Sequence, residues 1–179
     1  MLSREPAVLI VIDIQGNLFE AMQSKEELLA NAIKLAKGAK IYNLPIIITE
    51  QIPEKLGQTL PLLAQELAGS ATISKESFSC WGNNHFKEKI ESFGRKEVII
   101  LGIECHVCVY QTARDLISNG YDVHVVADAV SSRTKKNSDI GIEAMKNFGA
   151  HITSTEMVLF ELLRSADDAK FKEIYKLVK

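Results

Sequence analysis

Apolar runs and amphipathic stretches alternate along the whole chain. Continuous aliphatic runs such as residues 7–12 and 98–103 predict strands that are buried on both faces of a parallel sheet. Leu28, Leu35 and Ala39 recur at helical spacing, which is typical of a helix that packs one face on a sheet. The predicted strands are residues 7–12, 45–49, 71–74, 98–103, 122–127 and 151–154. The predicted helices are residues 28–39, 60–67, 84–93, 109–117, 138–148, 155–163 and 167–177.

The order of these elements predicts the fold. Strands and helices follow each other through all 179 residues, without an internal repeat, a low-complexity tract or a linker. Parallel strands joined by helices form an open sheet that is covered on both faces. We therefore predict one domain over residues 1–179, of the α/β class, built as a three-layer α/β/α sandwich on a six-stranded parallel sheet. The longest connection, residues 51–69, is expected to border a site.

Composition excludes several classes of partner. The formal net charge is −2, with acidic and basic residues mixed along the chain, so no basic face is available and we expect no nucleic-acid partner. No apolar run approaches the roughly 20 residues that span a bilayer, and the first residues lack the pattern of a secretory signal. We therefore expect no membrane association. Three cysteines are too few for a disulfide scaffold, and their odd number favours a reducing compartment, so we predict a cytoplasmic protein.

Polar side chains follow the predicted strands. In an open parallel sheet, ligands bind beyond the carboxyl ends of the strands, where loops and helix N-termini meet. An acid, an amine and a thiol can therefore converge there although they are distant in sequence. The candidates are Asp13, Glu50, Lys75, Cys105, Cys108 and Asp128.

Cys108 is the sharpest candidate among them. It lies at or near the start of a helix, where the helix dipole stabilises a thiolate. A nearby Lys75 would lower the pKa of the thiol further, and Asp13 could accept its proton. Each residue also has a plain structural interpretation: Cys108 as a packed thiol, Asp13 as a turn or capping residue, and Lys75 as a surface lysine. Only their combination points to chemistry.

Four segments carry a resemblance to a known family. In order along the chain they are residues 11–15 with Phe19, Lys75 with residues 78–79, residues 102–116, and residues 122–129 followed by 131–133. The third segment contains a glycine, a short strand end, and the cysteine followed by valine and a Thr-Ala pair. With this order and spacing, the chain resembles the isochorismatase-like cysteine hydrolases from about residue 7 to residue 165. Residues 49–51 and 56–59 are most similar to the branch called isochorismatase domain-containing proteins.

The resemblance implies a role for each residue. Asp13, Lys75 and Cys108 would form a catalytic triad that cleaves an amide-type C–N bond or a related bond of a small molecule, through a covalent intermediate. The backbone N–H groups of Glu104 and Cys108 would form the oxyanion hole, next to a cis peptide bond between Ile103 and Glu104. It also implies an isochorismatase-like hydrolase fold and a homo-oligomer. The late apolar segment, residues 157–160 with 162–163, is a candidate interface, with core packing as the alternative.

The sequence departs from relatives in two places. Cys105 stands where many members have threonine. The metal-binding branch carries an aspartate and histidines after its second strand, whereas residues 50–53 here contain no histidine, so we predict neither a metal nor any other cofactor. For the substrate, we predict an apolar wall with two polar contacts, although core packing is an alternative for each aromatic ring. These predicted contacts are Phe19, Phe78, Trp81, Gln15 and Gln51.

Three other functions remain open from the residues. Cys105 and Cys108 form a C-x-x-C pattern at the start of a helix, as in dithiol redox proteins. A zinc site is a weaker alternative, because the histidines are scattered and no second ligand pair has suitable spacing. A catalytically silent binding protein of the same fold is a third possibility, which the complete set of Asp13, Lys75 and Cys108 argues against.

Overall fold

The six-stranded parallel sheet is confirmed. A computed structural model of the protein describes residues 2–179. All of its strand pairs are parallel, in the order β3-β2-β1-β4-β5-β6. The strands are β1 (Ala7–Ile12), β2 (Ile46–Gln51), β3 (Ala71–Lys75), β4 (Glu97–Ile103), β5 (Asp122–Ser131) and β6 (His151–Thr153).

Helices cover both faces of the sheet and complete the predicted three-layer sandwich. They are α1 (Gly16–Glu20), α2 (Lys25–Ile41), α3 (Pro53–Leu56), α4 (Pro61–Glu66), α5 (Asn84–Ser92), α6 (Tyr110–Ser118), α7 (Lys135–Phe148), α8 (Thr155–Leu163) and α9 (Phe171–Val178). A 3₁₀ turn, Cys80–Gly82, precedes α5, and a π-helical turn, Cys105–Val109, leads into α6. No helix within residues 2–179 has the length and apolar character that crossing a membrane requires.

The strands divide their side chains between two hydrophobic clusters. Along β1, Leu9 and Val11 join the cluster under α2 and α8, whereas Ile10 and Ile12 join the cluster under α5, α6 and α7. Both faces of the strand are therefore buried, which explains why its sequence is a continuous apolar run rather than an alternating one. The catalytic candidate Cys108 belongs to the second cluster.

The structure differs from the sequence expectations mainly in short or irregular elements. α1 and α3 were not predicted, because five and four residues are too short to show a helical period. β5 extends to Ser131, four residues beyond the expected end, since its pairing with β4 shifts register between Ile100 and Gly102. α7 begins at Lys135, where the Thr134 hydroxyl accepts a hydrogen bond from the Asn137 N–H and caps the helix.

Gly102 allows β1 and β4 to approach closely beside the site. It has φ +130° and lies opposite Ile12 in the parallel pairing. A Cβ at this position would lie 2.0 Å from the Ile12 carbonyl oxygen, so no other residue fits without a backbone shift. Asp13 directly follows Ile12. The glycine therefore helps to define where the first predicted triad residue lies.

Candidate active site

Asp13 and Lys75 form a buried ion pair across the sheet. Lys75 Nζ lies 2.7 Å from Asp13 Oδ2, and neither side chain has measurable exposure. Lys75 ends β3 and Asp13 follows β1, so β2 lies between them. Neighbouring strands are about 4.8 Å apart, and only a long side chain can cross the intervening strand to reach the carboxylate. The predicted convergence of these two residues is observed.

Cys108 completes the group from the other side. It lies in the π-helical turn after β4, and its side chain is 5% exposed. Its thiol lies close enough to Asp13 and Lys75 for both charged groups to act on its pKa. The three predicted triad residues are thus brought together at the carboxyl edge of the sheet, although their sequence positions are far apart.

The expected lowering of the Cys108 pKa is wrong for this arrangement. Burial of the thiol and the nearby negative charge of Asp13 raise its pKa to about 12, and the opposing effect of Lys75 is smaller. For Lys75, burial alone would lower the pKa of the ammonium, but Asp13 and the adjacent sulfurs of Cys80 and Cys108 raise it above its ordinary value. The resting state is therefore a neutral thiol beside a carboxylate–ammonium pair.

The turn around Glu104 presents backbone groups near the thiol. The Ile103–Glu104 peptide bond is cis, as the resemblance implied. The Glu104 carbonyl accepts hydrogen bonds from the N–H groups of Val107 and Val109, at 3.0 and 3.2 Å, which flank Cys108. The Glu104 carboxylate accepts from the backbone N–H and Nε of Arg133, at 3.2 and 3.0 Å. Glu104 is therefore held through both its backbone carbonyl and its side chain.

Gln15 and Gln51, predicted as polar contacts to the substrate, are committed to other protein groups. The Gln15 amide bonds to both the N–H and the carbonyl of Gln51, and its nitrogen also donates to the Gly57 carbonyl. Gln51 Oε1 accepts from Lys75 Nζ at 2.6 Å, while its Nε2 donates to the Glu76 carbonyl at 2.7 Å. Both glutamines are buried and satisfied, so these contacts account for their polar side chains.

The three predicted aromatic contacts lie in different places. Phe19 is buried in the hydrophobic cluster under α2, on the opposite face from Cys108. The Trp81 ring packs edge-on against Tyr121, which precedes β5 at the amino end of the strands. Phe78 is 55% exposed, and its carbonyl accepts from Lys75 Nζ at 3.2 Å. Of the three aromatic residues, Phe78 is the one whose backbone contacts Lys75.

Three other strand-end candidates have structural contacts. The Glu50 carboxylate accepts from the N–H and hydroxyl of Thr59 and anchors the loop after β2. Asp128 lies within β5 rather than after it, and its Oδ1 accepts from the N–H and hydroxyl of Thr155 at the start of α8. Cys105 Sγ faces α7, with the Ser138 carbonyl 3.6 Å away, and burial and the nearby Asp139 raise its pKa to about 12.

Two residues at the site were not singled out from the sequence. The Thr49 hydroxyl donates to Asp13 Oδ1 at 2.7 Å, and Cys80 Sγ lies 3.8 Å from the same hydroxyl. Thr49 directly follows three isoleucines in β2 and lies two positions before Gln51. Because i and i+2 share one face of a strand, this position was a usable signal. Cys80 had no such signal, since it reaches the site through the 3₁₀ turn.

Within residues 2–179, no three or more histidine, cysteine, aspartate and glutamate side chains are grouped so that they could hold a metal ion. None of the contacts given above for Asp13, Lys75 and Cys108 involves a histidine. His124 and His151 stack on each other at the other end of β5 and β6, with ring centroids 4.9 Å apart. The residues at the triad are a carboxylate, an ammonium and a thiol, which together suit nucleophilic chemistry.

The comparison with known proteins decides the family. The model of the isochorismatase domain matches residues 7–157. The chain belongs to the isochorismatase family. Among curated members, isochorismatase domain-containing protein 2 of Xenopus laevis is 36% identical over 178 residues, covering 99% of this chain and 85% of that protein. The secreted isochorismatase effector Isc1 of Phytophthora sojae is 36% identical over 179 residues, covering 97% and 84%.

Solved structures place this isochorismatase-family chain among hydrolases of the same fold. MAR1 ribonuclease from Caenorhabditis elegans has a TM-score of 0.94 and 34% identity, covering 99% of this chain and 91% of that one. YcaC from Pseudomonas aeruginosa, solved with hexane-2,5-diol and covalent acrylamide, has a TM-score of 0.93 and 27% identity, covering 98% and 90%. YcaC from Escherichia coli, described as an octameric hydrolase of unknown specificity, has a TM-score of 0.93 and 26% identity, covering 98% and 89%. The protein is an isochorismatase-like hydrolase.

Proposed function

We propose that this hydrolase cleaves an amide-type C–N bond, or a related bond, of a small molecule, with Cys108 as nucleophile. The observation that carries the proposal is the buried Asp13–Lys75 ion pair, 2.7 Å between charged atoms, beside the Cys108 thiol. A buried ion pair is costly unless its geometry is good, and here it lies at the edge of the sheet where ligands bind. A thiol, a base and a fixed cation are the components of covalent catalysis.

The first half of the reaction forms a thioester. As Cys108 Sγ bonds to the substrate carbonyl carbon, its proton passes to Asp13, which is required because the raised pKa leaves almost no free thiolate at neutral pH. The carbonyl oxygen becomes an oxyanion that accepts hydrogen bonds from the N–H groups of Glu104 and Cys108. Collapse breaks the C–N bond, and the leaving amine takes the proton from Asp13. Lys75 keeps the carboxylate in place throughout.

The second half returns the enzyme to its resting state. Water attacks the thioester carbonyl and gives one proton to Asp13, and a second tetrahedral oxyanion forms in the same hole. Its collapse breaks the S–C bond and releases the carboxylic acid. Cys108 Sγ then takes the proton back from Asp13, so that no oxidant, metal or other cofactor enters the cycle. Activity is accordingly expected to survive prolonged treatment with a chelator.

The location of Phe78 supports a small substrate. The residue is 55% exposed and lies in the segment that directly follows Lys75. The carbonyls of Ser77 and Phe78 both accept from Lys75 Nζ, so this segment lies over the ion pair. We propose that Phe78 borders the entrance and supplies the apolar contact, while Gln15, Gln51, Phe19 and Trp81 act through protein packing. Replacing Phe78 with alanine is expected to raise KM more than it lowers kcat.

The arrangement of the thiols supports hydrolysis over dithiol redox chemistry. Cys105 Sγ faces Ser138 on α7, whereas Cys108 Sγ faces Asp13, so the two sulfurs of the C-x-x-C pattern point to different partners. All three cysteines are free and buried. Free thiols also fit the reducing cytoplasm that we propose as the compartment, although one relative, Isc1, is described as secreted.

A panel of small amides and esters tests the proposed activity. Wild type is expected to hydrolyse at least one of them, Cys108→Ala to abolish turnover, and Cys105→Thr to retain most of it. RNA should be included in the panel, because one structural neighbour is named a ribonuclease. Turnover that persists in Cys108→Ala, or that is lost equally in Cys105→Thr, would remove the proposed mechanism. Cleavage of RNA alone would replace the small-molecule substrate.

A further inference from the structure

β2 carries two polar side chains that hold the ion pair. Thr49 and Gln51 are two residues apart, so their side chains lie on the same face of the strand, the face that Lys75 crosses to reach Asp13. Thr49 bonds to the acid and Gln51 to the amine. The strand between the two charged residues therefore supplies one hydrogen-bonding group for each of them.

Thr49 holds Asp13 at two points. Its hydroxyl lies 2.7 Å from Asp13 Oδ1, and its carbonyl accepts from the Asp13 N–H at 3.1 Å. An ionised carboxylate can only accept, so the single hydroxyl proton of Thr49 must be donated to Oδ1. Lys75 occupies Oδ2. The carboxylate thus cannot rotate without losing a charge-assisted hydrogen bond, and its orientation towards Cys108 is fixed.

Gln51 performs the equivalent role for Lys75. Its Oε1 lies 2.6 Å from Lys75 Nζ, and the rest of its amide donates to the Glu76 carbonyl. The backbone of Gln51 is clamped in turn by the Gln15 amide. The carbonyls of Ser77 and Phe78 also accept from Lys75 Nζ. Together with Gln51 Oε1, they surround the ammonium and hold it where it pairs with Asp13.

We propose that Thr49 and Gln51 are positioning residues, which hold Asp13 and Lys75 in the orientation that lets Asp13 take the Cys108 proton. This inference rests on the proposed function, because it deepens the account of the same site. It assigns no contact with the substrate to either residue. Their effect is expected on how readily Cys108 gives up its proton rather than on substrate affinity.

The test follows alkylation of Cys108 by iodoacetamide as a function of pH, with each modified thiol quantified by peptide mass spectrometry. In this reaction the Cys108 sulfur bonds to the methylene carbon, iodide leaves, and the thiol proton passes to Asp13. The variants are Thr49→Val, which keeps the shape and removes the hydroxyl, and Thr49→Ser, which restores it. Thr153→Val is the matched control, because Thr153 is a buried strand residue whose hydroxyl has no hydrogen-bond partner.

Thr49→Val is expected to slow Cys108 alkylation at pH 7.5 roughly tenfold, the scale of one hydrogen bond to a charged group. Its pH profile is expected to approach that of a thiol without a base, because Asp13 is no longer held towards Cys108. Thr49→Ser should recover most of the rate, and Thr153→Val should match wild type. An unchanged profile in a folded Thr49→Val, checked by circular dichroism and urea unfolding, would overturn the assignment of Thr49.

Gln51→Met tests the positioning role of Gln51, and Gln65→Met, at an exposed residue, is its control. A several-fold lower rate at Cys108 is expected in Gln51→Met alone, and equal rates in both would overturn the role of Gln51. The same data separate this inference from the proposed function. If wild-type Cys108 reacts no faster than Cys105, the proposed mechanism fails. If it reacts faster but neither β2 variant changes its profile, only the positioning role fails.

Discussion

At the scale of single residues, the site depends on one buried pair of charges. Asp13 and Lys75 have no measurable side-chain exposure, and each satisfies the other. Removing one member leaves an unpaired charge in the protein interior, which costs about 3–5 kcal/mol. An exposed pair such as Lys135–Asp139 on α7 contributes far less, because water screens it.

Asp13→Asn is therefore expected to lower the free energy of unfolding by about 3 kcal/mol, measured by urea denaturation. The double variant Asp13→Asn with Lys75→Met should recover much of that loss, since it leaves no unpaired charge. Asp139→Asn is the control and should change stability by less than about 1 kcal/mol. A loss in Asp13→Asn no larger than in Asp139→Asn would contradict the pairing.

Alkylation of Cys105 and alkylation of Cys108 should depend differently on pH, although the pKa values of the two thiols are similar. Burial raises the pKa of both Cys105 and Cys108 to about 12. Without a base, alkylation of Cys105 should increase about tenfold per pH unit between pH 7 and pH 10, as its thiolate fraction does. Alkylation of Cys108 should instead depend less steeply on pH, because Asp13 takes the thiol proton during the reaction. Two parallel profiles in the wild-type protein would show that Asp13 does not act as the base.

At this scale the sequence predicted that Asp13, Lys75 and Cys108 converge, but not which residues support them. Asp13 and Lys75 stand at the ends of strands, where the geometry of a parallel sheet brings polar residues together. The pKa of Cys108 depends on how deeply the turn is buried, which no sequence position states. Gln15 and Gln51 were placed at the correct edge, but their hydrogen bonds to protein groups were not foreseen, because a buried amide binds whichever protein group is within reach.

At the scale of elements, Gly102 allows β1 and β4 to pack closely beside the site. Gly102 has a backbone conformation that other residues rarely adopt, and it leaves no space for a Cβ. Gly94, at the end of α5, also has a positive φ, +61°, but a Cβ there would meet nothing within 4 Å. Comparing substitutions at these two glycines therefore separates the energetic cost of backbone strain from that of a steric clash.

Gly94→Ala is expected to lower the free energy of unfolding by about 1 kcal/mol, the scale of strain at a positive φ. Gly102→Ala should cost at least about 2 kcal/mol more, because the backbone of Ile12 must also move. The displaced Ile12 carries Asp13 with it, so Cys108 alkylation should slow in Gly102→Ala and not in Gly94→Ala. Equal losses of stability in the two variants would contradict the close approach.

The regular elements were predictable, and the irregular ones were not. β1 and β4 appear as unbroken aliphatic runs because both faces of the sheet are covered. The π-helical turn that carries Cys108 has no compositional signature, because its widened hydrogen bond from Val109 to Glu104 depends on how β4 meets α6. Asp128 was expected after β5 and lies inside it, since a register shift against β4 lengthens the strand.

At the scale of the whole molecule, one buried histidine links stability to pH. His124 is 4% exposed, and its Nε2 lacks a hydrogen-bond partner. Burial and the neighbouring His151 lower its pKa, while Asp122, Glu97 and Glu161 act in the opposite direction. Below the ordinary value of 6.5, the unfolded chain binds a proton at His124 that the folded chain does not bind.

The free energy of unfolding is therefore expected to fall as the pH drops below 6.5, and His124→Phe should flatten that part of the curve. The exposed His85→Gln is the control and should keep the slope of wild type. Urea denaturation at half-unit steps from pH 5 to pH 7.5 makes the comparison. A slope that is equally steep in wild type and His124→Phe would assign the effect to other groups.

The surface of α8 suggests how copies of the chain associate. Met157 and Phe160 are 51% and 36% exposed, one turn apart, and the E. coli YcaC neighbour is an octamer. We expect a homo-oligomer in light scattering at micromolar concentration, and Met157→Asp with Phe160→Asp should dissociate it. Ile140→Asp, which introduces the same charge at an exposed apolar residue of α7, is the control. A monomeric wild type would contradict the expectation.

The strand order has a practical consequence for following the folding of the protein. Lys75 and Asp13 are 62 residues apart in sequence and meet only when β3, β2 and β1 have paired, and Cys108 joins them only after β4 has docked. In an unfolded chain the three cysteines are chemically equivalent, whereas in the native state Cys80 is fully buried. After a short alkylation pulse during refolding, the ratio of label on Cys108 to label on Cys80 therefore rises as the native fraction grows.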